Sequence, residues 1–70
     1  MALAFAPFGQ SFKVTRINAE EKVIRHLNNL GLVVGAEITP VFDNGGDVIL
    51  KIKDCRVALN KALAMRIMVA

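Results

Sequence analysis

Residues 27–38 read LNNLGLVVGAEI, and the two glycines in this stretch organise the rest of the chain. Upstream of the first glycine, Val23, Ile24, Leu27 and Leu30 recur at the spacing of one helix face, while Lys22, Arg25, His26 and Asn29 fall on the other. Gly31 stands where a helix gives way to a residue of positive φ. At the other end Asn18 reads as an N-cap, with Glu21 three residues on in the manner of a capping box. Glu20 and Glu21 suit the positive end of the helix dipole. The spacing therefore predicts a helix of about twelve residues between Asn18 and Gly31, with one apolar face. Residues 32–35 form a short connector that closes on the second glycine, Gly35.

On both sides of this centre the pattern changes from helical to extended. Residues 12–17, FKVTRI, predict a first strand in which Phe12 and Val14 alternate and Ile17 breaks phase, the mark of a bulge or a strand end. Residues 36–42 predict a second strand with Ile38 and Phe42 on one side, and Pro40 places it at an edge or beside a bulge. DNGGD at 43–47 is a hairpin turn, since Asn and Gly tolerate the positive φ that tight hairpins require. In residues 48–53, Val48, Leu50 and Ile52 face one way and Ile49, Lys51 and Lys53 the other, a strand with one wet face. A second tight turn at Asp54 and Cys55 leads to a fourth strand over 56–59. Asn60 caps a single helical turn, KALAM, and Ile67 to Val69 close the chain as a fifth strand. The leading segment 1–11 is punctuated by Pro7 and Gly9, and its Leu3, Phe5 and Phe8 are expected to pack onto the domain.

Seventy residues make a single domain over 1–70, and a chain this short has a marginal core. Five short strands with one helix cannot cover both faces of an open sheet. An all-β fold, a small strongly curved β-barrel, hides the edges with less material. Cys55 is the one cysteine, so disulfides are excluded and a reducing compartment, the cytoplasm, is expected. The chain is 54% hydrophobic and its mean hydropathy is +0.47. Even so, no apolar run reaches the roughly 18 residues of a membrane span, and no secretory signal is present at the N-terminus. So much apolar material on so small a body predicts an exposed apolar patch, covered by a protein partner or by a second copy in a homo-oligomer. The net charge of +3 is spread along the chain without a run and reads as ordinary solubility charge.

The order of elements resembles the ferrous iron transport protein A (FeoA) family. The residues that carry the resemblance are Val14 and Ile17 at the end of the first strand and the helix-end pattern L-x-x-L-G-L-x-x-G-x-x-I. In this chain that pattern is Leu27, Leu30, Gly31, Leu32, Gly35 and Ile38. Ala58 and Leu59 follow after the hairpin, and Ala64, Ile67 and Val69 at the end. Two positions depart from the family pattern: Val34 stands where proline is frequent before the second glycine, and the turn at Asp54 and Cys55 has no glycine. The resemblance implies an SH3-like barrel with one α-helix after the first strand and a short C-terminal helical turn. It also implies a cytosolic accessory protein of ferrous iron uptake whose partner is the membrane transporter FeoB.

The chemistry-bearing residues point away from catalysis. Cys55 and His26 are the one conceivable nucleophile–base pair, and they lie on a turn and a distant helix with nothing to orient them. No two of His26, Cys55, the aspartates and the glutamates have a metal-ligand spacing, and the DNGGD turn lacks the frame of a calcium loop. No metal and no cofactor is expected. Gly31 and Gly35 follow a helix instead of opening one, so they form no phosphate cradle. The chain has neither Trp nor Tyr to stack bases, so nucleic acid is not expected, although a small nucleic-acid-binding barrel is the second reading. A protein-binding module remains, with Leu32, Val33 and Val34 of the connector and Lys22, Arg25 and His26 of the helix as candidate contact residues.

Overall fold

The β-branched run FKVTRI forms strand β1 (Phe12–Ile17) over the residues the pattern predicts. Four further strands follow in the computed structural model, which describes residues 1–70: β2 (Glu37–Asn44), β3 (Asp47–Ile52), β4 (Cys55–Asn60) and β5 (Ile67–Val69). Helix α1 (Glu21–Asn29) lies between β1 and β2, and the one-turn helix α2 (Lys61–Ala64) between β4 and β5. The strands pair antiparallel in the order β4-β3-β2-β1-β5. This is the small, all-β, barrel-like fold that the short strands imply. The outer edge of β5 is not left open. The Val69 N–H donates to the Met1 carbonyl at 2.8 Å and the terminal ammonium donates back to the Val69 carbonyl at 3.0 Å.

Local chemistry explains the turns. Gly45 and Gly46 both have positive φ and connect Asn44 directly to its partner Asp47, so the hairpin turn is two residues long and the ladder runs further than the sequence suggests. Asp43 Oδ1 accepts from the Gly46 N–H, and Lys61 Nζ donates to Asp43 Oδ2 at 3.0 Å. The hydrogen bond from Lys61 and then the Gly46 amide hold the Asp43 carboxyl below its ordinary value of 3.8. A depressed carboxyl pKa adds stability above the ordinary value, and that contribution disappears as pH falls through the lowered one. The second turn is Lys53-Asp54, one residue earlier than expected, because Cys55 already pairs with Ile52. Lacking glycine there, the chain puts Lys53 at φ 54, a left-handed conformation that costs an L-residue about 1 kcal/mol.

The buried residues are all apolar, with Leu3, Val14, Leu27, Leu32, Ile38, Leu50, Ile67 and Val69 almost wholly excluded from solvent. Burial in β3 alternates as predicted, with Val48, Leu50 and Ile52 inside. Asn60 caps α2 as expected, its Oδ1 accepting from the Leu63 N–H at 2.8 Å. Asn60→Ala is expected to lower stability by about 1 kcal/mol and Asn60→Asp to preserve it, read as a shift of the urea midpoint at constant slope.

Three expectations are corrected. Asn18 does not cap α1: its N–H donates to the Arg66 carbonyl at 2.8 Å, which continues the β1–β5 pairing one residue past Ile17, and the chain bends at Ala19 before the helix. The helix consequently starts at Glu21, after Glu20 and without a side-chain cap, and is nine residues long. Phe42 is not on the side of Ile38. The β2–β3 register shifts between Pro40 and Phe42, the bulge that Pro40 suggested, and this turns Phe42 outward to 43% exposure. In the leading segment Leu3 and Ala6 are buried, but Phe5 and Phe8 are exposed. The 3₁₀ turn Leu3–Phe5 packs one face on β5 and α2 and leaves the other to solvent.

Candidate partner-binding surface

The segment after α1 is built by its glycines. Gly31, at φ 95, lets the Leu32 N–H reach the Leu27 carbonyl at 2.9 Å while the Gly31 N–H reaches that of Asn28 at 3.0 Å. These two bonds are a Schellman motif, and Leu27 and Leu32 supply the apolar contact that accompanies it. The chain then turns again at once. The Ala36 N–H donates to the Val33 carbonyl at 3.0 Å, with Gly35 at φ 94, which makes residues 33–36 a type II turn. The Gly35 N–H donates to the Val14 carbonyl at 2.7 Å and the Val14 N–H to the Ala36 carbonyl at 2.9 Å, tying the turn to β1.

This construction separates the expected contact residues. Leu32 is 0% exposed and belongs to the core, so it cannot meet a partner. Its burial follows from the Schellman bond, which folds the residue after the glycine back over Leu27. Val33 and Val34 are 40% and 63% exposed, on a backbone fixed by three hydrogen bonds. Lys22, Arg25 and His26 are exposed along the solvent side of α1, with Arg25 3.9 Å from Glu21. The surface is thus a short cationic strip on α1 followed, past the helix cap, by a rigid apolar knuckle.

Val34 is position i+1 of the type II turn, where proline's fixed φ is favoured, and its N–H donates no hydrogen bond outside the helices and strands. Val34→Pro is expected to raise stability by about 0.4–1 kcal/mol by restricting the unfolded chain, seen as a higher melting temperature.

The sequence did not reveal a second feature. An open groove of about 360 Å³ runs between the start of α1 and α2, with Ala19, Val23, Ala62 and Leu63 between Glu20 and Arg66. Helical spacing put Val23 on the core face. Val23 does pack against the core from that face, half-buried, and its outer side also lines the groove, which no local signal marks. Elsewhere no three His, Cys, Asp or Glu side chains come together as metal ligands, and Cys55 is an exposed free thiol. No helix is long and apolar enough to cross a membrane.

Comparison with known proteins gives consistent matches. The model of the FeoA domain matches residues 1–70. A protein named as an Fe(2+) transport protein A, from Methanocaldococcus jannaschii, is 33% identical over 67 residues, 96% of this chain and 82% of its own length. FeoA of Chlorobium tepidum superposes with a TM-score of 0.91 at 27% identity, over 99% of this chain and 68% of that one. FeoA of Stenotrophomonas maltophilia, solved with zinc and described as a prokaryotic SH3 domain protein, superposes with a TM-score of 0.84 at 28% identity, over 100% of this chain and 89% of that one.

Proposed function

The chain belongs to the FeoA domain family, and from that premise we propose that it is a non-enzymatic, cytoplasmic accessory protein of ferrous iron transport that binds the membrane transporter FeoB. The observation that carries this reading is the type II turn at 33–36. It presents two exposed valines on backbone that is already ordered, so a partner covering them gains apolar burial with little ordering cost. Lys22, Arg25 and His26 on α1 supply the polar rim and steer an acidic partner surface. The FeoA protein of S. maltophilia is described in connection with ferrous iron transport activation, which supports the same role.

The test is capture of purified, detergent-solubilised FeoB on immobilised protein. Val34→Asp is expected to weaken capture at least tenfold, the loss of one interface hot spot, while its circular dichroism and melting temperature stay those of the parent. Parent protein that does not retain FeoB, or a Val34→Asp variant that retains it equally, overturns the assignment of this surface.

A further inference from the structure

Strand register gathers charges that are scattered in the sequence. On the outer face of β2, β3 and β4, Lys51 stands opposite Thr39 on one side and Arg56 on the other. One pleat further along, Lys13 of β1 stands opposite Glu37. Lys53 at the β3–β4 turn shares a depression of about 310 Å³ with Glu37, Thr39 and Lys51. The hydroxyl of Thr39 is 3.0 Å from that of Ser11. None of these four cations is in an ion pair, since the protein's two pairs are Arg25–Glu21 and Lys61–Asp43. Glu37 is the carboxylate inside the depression, and Asp54 follows Lys53 in the turn.

An apolar band lies beside this cationic one. Phe42 stands opposite Ile49, and Ile49 opposite Ala58, about 7 Å along the strands from the Thr39–Lys51–Arg56 row. The Gly9 N–H donates to the Pro40 carbonyl at 2.8 Å, which ties the segment that carries exposed Phe8 to the middle of β2. Proteins that bind single-stranded nucleic acid interleave aromatic and basic side chains so that bases stack while phosphates are followed. Here the two kinds form separate bands, as on a surface that meets headgroup charge and acyl chains at different depths.

We propose that this sheet face docks the protein on an anionic lipid bilayer. A phosphodiester headgroup sits between Lys51 and Lys53 within reach of the Thr39 hydroxyl, and Arg56 and Lys13 widen the cationic band. Phe42 and Phe8 enter the boundary between headgroups and chains. The docking goes beyond binding to the transporter and requires no protein partner.

Co-sedimentation with vesicles of phosphatidylcholine containing phosphatidylglycerol, against vesicles of phosphatidylcholine alone, tests it. Each cation near an anionic surface contributes about 1 kcal/mol, or about fivefold in partitioning. Lys51→Gln is expected to weaken binding about fivefold and the K51Q/R56Q double variant about 25-fold, with unchanged circular dichroism. Arg66→Gln, which removes a charge at the α1–α2 groove, leaves binding as it was, and raising salt from about 0.1 to 0.5 M releases the protein. Phe42→Ser lowers binding without changing its salt dependence. Absence of binding to the anionic vesicles, equal binding to neutral ones, or an equal loss from Arg66→Gln overturns the proposal. Displacement from vesicles by a single-stranded oligonucleotide at lower concentration than by free lipid also overturns it and gives the face to nucleic acid. As no transporter is present, a negative result leaves the FeoB reading intact, and failure of FeoB capture leaves this one intact.

Discussion

Leu32→Ala is expected to bring the domain to the edge of unfolding, lowering its stability by about 2–4 kcal/mol. A chain of this length has about 3–10 kcal/mol in total, so the loss is a large share, and the melting temperature should fall by about 10–25 °C. Leu32 is wholly buried within the one core cluster. It also holds the helix end, because its N–H closes the longer bond of the Schellman motif and its side chain packs with Leu27 in that cluster. Truncation removes apolar contact and leaves a cavity under a backbone that is pinned on both sides and cannot collapse into it. Val34→Ala, two residues on, is expected to change stability by no more than about 0.5 kcal/mol. Thermal melts of the two variants decide the matter. A Leu32→Ala protein that melts like its parent yet no longer retains FeoB would return Leu32 to the contact surface.

Gly31→Ala should cost about 1–2 kcal/mol, entirely through backbone strain. A Cβ at position 31 would lie 3.5 Å from Ile52 Cγ2, an ordinary contact, so space does not forbid the substitution. What forbids it is φ 95, which an L-residue reaches only with strain. Gly35→Ala, at φ 94 and in open surroundings, should cost a similar amount. Chemical synthesis with D-alanine at position 31 should restore the loss, because the D-residue favours positive φ. If the L- and D-alanine proteins share one denaturation midpoint, strain is not the operative term.

These two predictions rest on residues whose roles were legible to different degrees. Both glycines could be read directly, since a helix-face pattern that stops at glycine demands a positive φ within the same few residues. The neighbouring leucine could not. In the linear chain Leu32, Val33 and Val34 are three equivalent apolar residues in a loop, and all three look available to a partner. Only the hydrogen bond from Leu32 back to Leu27 distinguishes them, sending the first inward and leaving the other two on the turn. The polar side of α1 was readable from periodicity, whereas the groove beside Val23 was not, because it depends on where α2 lies.

The sequence by itself determined whatever depends on a few adjacent residues: the bounds of β1 and β5, the end of α1, the cap at Asn60, the glycine turns and the alternation along β3. Propensity, capping and pleat act over about one to five residues, and no distant partner overrode them at these places. Tertiary structure decided what depends on which strand lies beside which. The Arg66 carbonyl took the amide of Asn18 and delayed the helix, and the bulge after Pro40 reversed Phe42. Cross-strand register brought Lys13 and Arg56 to the face where alternation had already put Lys51. In each case the deciding contact joins residues far apart in the chain, and one residue of register exchanges the two faces of a strand.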